Sequence, residues 1–279
     1  MRREQSVRLP AVAGMFYPED PQVLGNKIDE LLKDAKPPHF NGNIVAIIVP
    51  HAGYIYSGPT AASAYKLLSE RHFDTAVIVS PSHREYFDGI SIFDGTGYRT
   101  PLGDVLIDDE MRKSLVKENG VLQASSVGHG AEHAVEVQIP FLQKISHDFN
   151  IVPIVMGDQR REYCELLGRK LAIALRGKNA LLIASSDLSH YHLYETASQL
   201  DKIIIDEVAQ YDDEKLMDDL ETEQVEACGG GPMVAVLRAA RTLGADTVKI
   251  LHHCNSGDIT GDRSGVVGYL SAAIVSTTG

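Results

Sequence analysis

The chain has 279 residues, 44% of them hydrophobic, and a formal net charge of −12. Its composition is ordinary for a soluble globular protein, and its length allows one large domain or two small ones. The alternation of strands and helices over nearly the whole length favours one domain over residues 1–279. The acidic balance excludes the clustered basic surface that nucleic acids and anionic membranes require. No apolar run is long enough to span a bilayer, and no Cys-x-x-Cys pair is present, so a reduced, cytoplasmic protein without disulfides is expected.

Helical and strand patterns alternate along the chain. Asp20 and Pro21 predict the N-cap and the first residue of a helix that runs to about Ala35. Asp108 predicts the N-cap of a short helix that runs through about Lys117. Further helices are predicted at 59–70, 161–177 and 229–244, a pair of surface helices at 194–220, and a small antiparallel hairpin at 86–108. Buried strands are predicted at 44–50, 75–82, 149–157, 179–187, 247–251 and 265–275.

This alternation predicts an α/β fold with a central mixed, mostly parallel sheet flanked by helices. The only glycine run, Gly229 to Gly231, matches no phosphate-binding pattern and is interpreted as a tight turn before a helix.

Two histidines directly follow predicted strands. His51 comes after the run at 44–50, and His83 after the run at 75–82. Imidazoles presented at the ends of adjacent strands form a metal-binding pair suited to iron, zinc, copper or nickel. A hydrogen-bonded structural histidine is the alternative for His51.

The stretch LLIASSDLSHYH, residues 181–192, delivers a polar cluster at the end of another buried strand. Asp187 and His190 lie three residues apart there. A histidine beside a metal that is not itself a ligand can act as a general acid or base. The alternative is that Asp187 caps a turn and His190 only packs.

A third ligand is expected from the segment that follows the strand at 247–251. Asp258, in NSGDITGD, would complete two histidines and one carboxylate, the set that leaves open positions on non-haem iron. Cys254 is the competing ligand, since a thiolate shifts preference toward zinc or copper. His252 and His253 are further rivals.

His129, Glu132 and His133 spell H-x-x-E-H, a zinc-peptidase pattern that requires a helix. Gly128 and Gly130 disfavour that helix by roughly 1 kcal/mol each. His133 can instead serve the other site as a hydrogen-bond donor to substrate.

Seven motifs in chain order give this sequence a resemblance to the Memo family, also called AmmeMemoRadiSam system protein B. They are LPAVAGMFYP, VPHAGYIYSG, SPSH, YRTPLGDV, EHAVEVQIPFL, SSDLSHY and NSGDITGD. That family is similar in fold to the class III, LigB-type extradiol dioxygenases, so the resemblance implies the same sheet architecture with a site at the strand ends.

The resemblance also implies site residues and partners. The metal is expected on His51 and His83, with Asp258 as third ligand and Cys254 as its alternative; the human member has a cysteine where Asp258 aligns. His190 matches the dioxygenases' catalytic histidine, with Asp187 and His133 beside it. A divalent metal is implied, iron(II) first and zinc or copper as alternatives. Family association suggests a radical-SAM protein and an AMMECR-type protein as partners.

Three functions therefore remain open. The first is a non-haem iron oxidoreductase, dioxygenase-like, acting on a small aromatic or enediol substrate. The second is a module that binds a peptide or protein in the same pocket without turnover, and the third is a zinc hydrolase.

Overall fold

The computed structural model describes residues 6–116 and 120–278. Its helices are α1 (Pro21–Asp34), α2 (Tyr54–Leu68), α3 (Asp109–Val116), α4 (Ile139–Ile145), α5 (Arg161–Leu175), α6 (Tyr194–Gln210), α7 (Asp213–Glu221), α8 (Gly230–Thr242) and α9 (Ser256–Thr260), with a 3₁₀ turn at Glu136–Gln138. Its strands are β1 (Val7–Arg8), β2 (Asn43–Val49), β3 (Thr75–Pro81), β4 (Ile90–Ile92), β5 (Gly97–Thr100), β6 (Gly103–Leu106), β7 (Leu122–Ala124), β8 (Asn150–Met156), β9 (Ala180–Ser185), β10 (His190–His192), β11 (Thr247–Asn255) and β12 (Val266–Ser276).

Most of the strands in the described residues form one large mixed sheet. Its order is β10-β12-β2-β9-β3-β8-β4-β7, and β11 pairs with β12 as well. Strands β2, β9, β3 and β8 are parallel. Strand β12 is antiparallel to β2 and β11, and β4 is antiparallel to β8. The predicted α/β fold with a mixed sheet flanked by helices is confirmed, and its parallel part is the centre of the sheet.

The central strands are buried on both faces because successive side chains enter opposite cores. In β2, Ala46 and Ile48 pack into the core formed with α5 and α8. Ile47 and Val49 pack into the core formed with α1 and α2. A shift of one residue would exchange these faces, so the packing fixes the register of the sheet and with it the position of each strand end.

Local signals in the sequence set the helix starts. The Asp20 carboxylate accepts the backbone N–H groups of Gln22 and Val23, each at 2.9 Å, so α1 begins at Pro21 as predicted. Asp108 likewise accepts the N–H of Met111 at 2.8 Å. The predicted end of that helix, near Lys117, lies outside the described residues.

The predicted hairpin at 86–108 is found in part. Strands β5 and β6 pair antiparallel and join β1 in a small three-stranded sheet, whereas β4 joins the large sheet. Among the helices described, none combines the length and apolar character needed to cross a lipid bilayer.

Candidate metal site at the carboxyl edge of the sheet

Three neighbouring parallel strands end at the same edge of the sheet. Val49 of β2 lies opposite Ser185 of β9. Strand β3 pairs with the other side of β9. His51, Asp187 and His83 each follow the last residue of one of these strands by two positions. The sheet register therefore brings them together, and the ring centroids of His51 and His83 lie 5.1 Å apart.

His51 is held from two sides. Its backbone N–H donates to Asp187 Oδ1 at 2.8 Å, and its ring Nδ1 lies 2.9 Å from Ser185 Oγ. The Ser185 hydroxyl donates its single proton to the carbonyl of Ala134 at 2.8 Å, so it can only accept from His51. Nδ1 of His51 therefore carries the proton, and the lone pair is on Nε2.

The free Nε2 of His51 faces a cysteine that the sequence analysis did not select. Cys228 Sγ lies 3.1 Å from that nitrogen. His51, His83 and Cys228 each offer a ligand atom, and the three atoms lie within 4.8 Å of one another. Two imidazoles and one thiolate on one side of an ion leave positions open for further ligands.

Cys228 reaches this edge because a glycine follows it. A Cβ at Gly229 would lie 2.4 Å from the carbonyl oxygen of Ser185, so only glycine allows the start of α8 to approach the end of β9. The Gly229 N–H donates to Ser186 Oγ at 3.0 Å. The glycine run at Gly229 to Gly231 is the sequence feature that could have identified Cys228. It forms the predicted turn before a helix, and this turn also positions the preceding cysteine.

A buried carboxylate orients His83. Glu132 accepts the backbone N–H of His83 at 2.5 Å and lies 3.0 Å from its Nδ1. It also accepts the N–H groups of His133 and Ala134 at 2.8 and 2.9 Å. His83, Glu132 and His133 form a second group with metal-ligand spacing. Because these hydrogen bonds occupy the oxygens of Glu132, we assign it to orienting His83, which leaves Nε2 of His83 for a ligand.

Burial keeps the imidazoles of His51 and His133 neutral. Burial, reinforced by the neighbouring His83, lowers the pKa of His51 well below its usual value. Burial and the nearby His51 lower the pKa of His133 to about 4. Burial opposes ionisation of Glu132, but its hydrogen bonds from His83 and Ala134 and the His83 charge lower its pKa to about 2. Neutral imidazoles are the form that binds a metal ion.

The pKa values of Cys228 and Asp187 are shifted upward. Burial, and then the neighbouring Asp187, raise the pKa of the Cys228 thiol well above its usual value. Burial also raises the pKa of Asp187, against the hydrogen bond from His51. A buried thiolate therefore requires a nearby cation, which a bound metal ion supplies.

A cavity of about 680 Å³ opens onto this cluster. His51 and His83 line its floor together with the predicted catalytic residues His133, Asp187 and His190. The ring centroids of His83 and His133 lie 4.9 Å apart. The structure thus brings together five residues that the sequence singled out, from four separate segments of the chain.

Asp258 and Cys254 lie elsewhere, and this corrects the expected third ligand. Asp258 Oδ2 accepts the N–H of Asn255 in a capping box that starts α9, and Oδ1 accepts the hydroxyl of Tyr194. Cys254 contacts Thr60 Oγ1 at 3.2 Å. Both line a separate cavity. Asp258 is turned away because a short helix begins directly after β11, and the carboxylate bonds back to its N-cap residue, Asn255.

The H-x-x-E-H pattern does not form a peptidase site. His129 Nδ1 lies 2.7 Å from the Tyr98 hydroxyl, and Nε2 lies 3.3 Å from the Ser91 carbonyl, so both ring nitrogens are engaged inside the protein. The segment from His129 to His133 is irregular rather than helical. The alternative ligands also lie apart from the cluster: His252 contacts Thr60, and His253 lines the cavity of Asp258.

The fold and the site together define an α/β protein with a histidine–cysteine cluster, suited to a metal ion, at the carboxyl edge of a mixed sheet. A family model described as Memo-like protein matches residues 8–273. A MEMO1 family protein of Methanothermobacter thermautotrophicus is 39% identical over 272 residues, covering 94% of this chain and 98% of the relative. One of Sulfolobus acidocaldarius is 40% identical over 281 residues, covering 95% and 98%. The chain belongs to the Memo family.

A solved structure, that of an uncharacterized protein of Escherichia coli K12, is similar in fold. It aligns with a TM-score of 0.54 at 16% identity, over 83% of this chain and 100% of that chain. At this identity the likeness concerns the fold alone.

Proposed function

We propose that this chain is a non-haem metal enzyme, a dioxygenase-like oxidoreductase that binds one divalent metal ion through His51, His83 and Cys228. The observation that carries the proposal is the convergence of three ligand atoms within 4.8 Å, with the two histidines among them lining an open cavity. Both histidines have Nδ1 occupied, by Ser185 and by Glu132, which leaves the two Nε2 atoms for the ion.

Iron(II) is the first metal to test, because a redox-active ion in this position can bind and activate both dioxygen and a substrate with adjacent oxygens. The thiolate makes the donor set softer than two histidines and a carboxylate, so zinc and copper compete for it. The substrate expected is a small aromatic or enediol compound. Aromatic side chains on the cavity wall, among them Phe16, Tyr56 and Tyr269, suit such a ligand.

The protein's own residues move protons and position the metal ligands and the substrate. His190 lines the cavity without belonging to the ligand cluster, as a general acid or base must. Asp187 fixes the backbone of His51 and borders the same space. His133 packs edge-on against Phe16, with ring centroids 4.7 Å apart, and presents an imidazole to a bound substrate.

The decisive experiment is metal reconstitution of the purified protein without oxygen, with iron(II), zinc and copper in separate samples and elemental analysis after desalting. We expect about one metal ion per chain. Cys228→Ser should lose most of it, because one of three protein ligands is removed. Cys254→Ser and Asp258→Ala are the matched controls and should retain it.

Cobalt(II) substitution tests the sulfur ligand directly. The parent protein and Cys254→Ser should show a sulfur-to-metal charge-transfer band that Cys228→Ser lacks. A band that survives in Cys228→Ser and disappears in Cys254→Ser would contradict the assignment of the ligand.

His190→Ala separates catalysis from metal binding. This variant should keep the metal and lose a factor of about 10² to 10⁴ in turnover. A parallel loss of metal and turnover would make His190 a ligand and would refute its role in proton transfer.

A further inference from the structure

We infer that the cavity takes a small aromatic ligand that carries a carboxylate, and that Arg84 binds this carboxylate. The inference rests on the proposed function, since it defines the substrate class of the same site. It adds a specificity residue that the sequence analysis did not consider and that is not part of the metal cluster.

Arg84 lines the cavity beside His83 and is exposed. Over residues 6–116 and 120–278 its guanidinium has no ion pair or hydrogen bond, although the chain is acidic, with a net charge of −12. By contrast, Arg160 and Arg161 elsewhere on the surface are paired with carboxylates. A permanent cation left unpaired next to a cavity is available to an anionic ligand.

The acids that line the cavity form no ion pair with Arg84, because each accepts hydrogen bonds from other groups. Asp187 accepts the backbone N–H of His51 at 2.8 Å. Asp262 Oδ1 accepts the N–H and the hydroxyl of Ser264, at 2.9 and 2.7 Å. Arg84 and a bound metal ion would add to a positive potential in this part of the cavity, and such a potential attracts an anion.

The backbone of Arg84 is fixed on both sides. Its predecessor His83 donates an N–H to Glu132 at 2.5 Å. Its successor Glu85 accepts the Ser82 hydroxyl through its carbonyl at 2.5 Å and the Gly128 N–H through its carboxylate at 2.9 Å. The loop that carries the metal ligand His83 therefore also fixes the backbone of Arg84. Because only the side chain of Arg84 must be ordered when an anion binds, the entropic cost of binding is lower.

The remaining walls define the rest of the ligand. Met15, Ile55 and Tyr191 are exposed at 73%, 66% and 79% and line the same cavity. They can cover the apolar faces of a ring. A single guanidinium matches the single charge of a carboxylate in a bidentate pair. Arg84 is the only arginine or lysine among the described residues that line the cavity, so a phosphate dianion would keep a second charge unpaired by any side chain beside Asp187 and Asp262, and the carboxylate is favoured.

The test compares probes that differ in one carboxylate, by isothermal titration calorimetry under nitrogen. On metal-loaded protein we use 3,4-dihydroxybenzoate and catechol. The parent should prefer the acid by about tenfold, and Arg84→Gln should remove this preference while catechol binding stays unchanged. Arg84→Lys should retain part of it, because the charge remains but the planar fork is lost. Arg176→Gln, which removes another exposed arginine with no partner in the described residues, should change neither affinity.

A second arm uses metal-free protein with benzoate, benzyl alcohol and phenyl phosphate, observed by ligand NMR. A preference for benzoate that depends on Arg84 supports the inference even if no metal binds, a result that would refute the proposed function alone. Equal affinity for acid and neutral probes on metal-loaded protein would overturn the inference and leave the metal site intact. A preference for phenyl phosphate would replace the carboxylate by a phosphate and also overturn it.

Discussion

A steric contact behind the site gives a quantitative test of how the loop after β9 is held. Gly268 of β12 packs against the buried carboxylate of Asp201 in α6, and this carboxylate accepts the N–H of Ser189 at 3.0 Å. A Cβ at Gly268 would lie 1.9 Å from Asp201 Oδ2 and 2.5 Å from its Cγ. Gly268→Ala must therefore displace the carboxylate and break its hydrogen bond to the loop.

The expected cost follows from these two effects. Overpacking costs about 1–3 kcal/mol, and a buried donor left unpaired costs about 1–3 kcal/mol, so Gly268→Ala should lose about 3 kcal/mol of unfolding free energy. Asp201→Ala should lose about 2 kcal/mol, since it leaves the Ser189 N–H unpaired without overpacking. In the double variant the methyl group enters the space that the carboxylate vacated. The total loss should stay near 2 kcal/mol instead of the sum of about 5 kcal/mol.

Urea unfolding of the two single variants and the double variant measures this coupling. Gly265→Ala is the control, because its Cβ would meet nothing closer than the Tyr191 carbonyl at 3.7 Å, and it should cost less than about 1 kcal/mol. If the losses of Gly268→Ala and Asp201→Ala add to within about 0.5 kcal/mol, the two residues are energetically independent and the steric argument is refuted.

Three further predictions concern separate parts of the molecule. Ser185→Ala should weaken metal binding about 10- to 100-fold in a chelator competition, since the tautomer of His51 is no longer fixed; unchanged affinity would contradict that. Burial and the Asp219 carboxylate raise the pKa of Glu207 to about 8, so its contribution to stability is present at low pH and is lost as pH rises through about 8. Glu207→Gln should thus lose less stability than the parent between pH 6 and pH 9 in urea unfolding, and equal losses would refute the assignment. Asp258→Ala should cost about 1 kcal/mol through the lost cap of α9 while leaving the metal content unchanged, as thermal unfolding and elemental analysis will show.

The sequence predicted those parts of the site that depend on the parallel strands. Apolar runs mark β2, β3 and β9, and the polar residues at the end of each run must lie at the carboxyl edge once the three strands are neighbours in a parallel sheet. His51, His83 and Asp187 could therefore be identified without coordinates. His190 follows because the same segment continues past β9.

The third ligand could not be found in this way. Cys228 follows no strand, and its contact with His51 depends on α8 approaching β9 as closely as Gly229 permits. The spacing of residues along the sequence does not predict such a packing distance. Asp258 does follow a strand, β11, which runs in the same direction as β2, but β12 lies between the two, so the end of β11 is displaced sideways along the edge from the ends of β2 and β3.

Replacing a predicted carboxylate by Cys228 changes the chemistry that the site can support. A carboxylate is charged at neutral pH without help, whereas burial and Asp187 favour the protonated form of this thiol. Metal binding must therefore release the thiol proton, and affinity should rise with pH more steeply than for an all-nitrogen-and-oxygen site. The proton needs an acceptor, and His190 is a candidate because it lines one cavity together with Cys228 and another together with His51 and His83. Metal binding at this site is thus coupled to proton transfer. A reaction on a substrate bound in the cavity would also need proton transfer there.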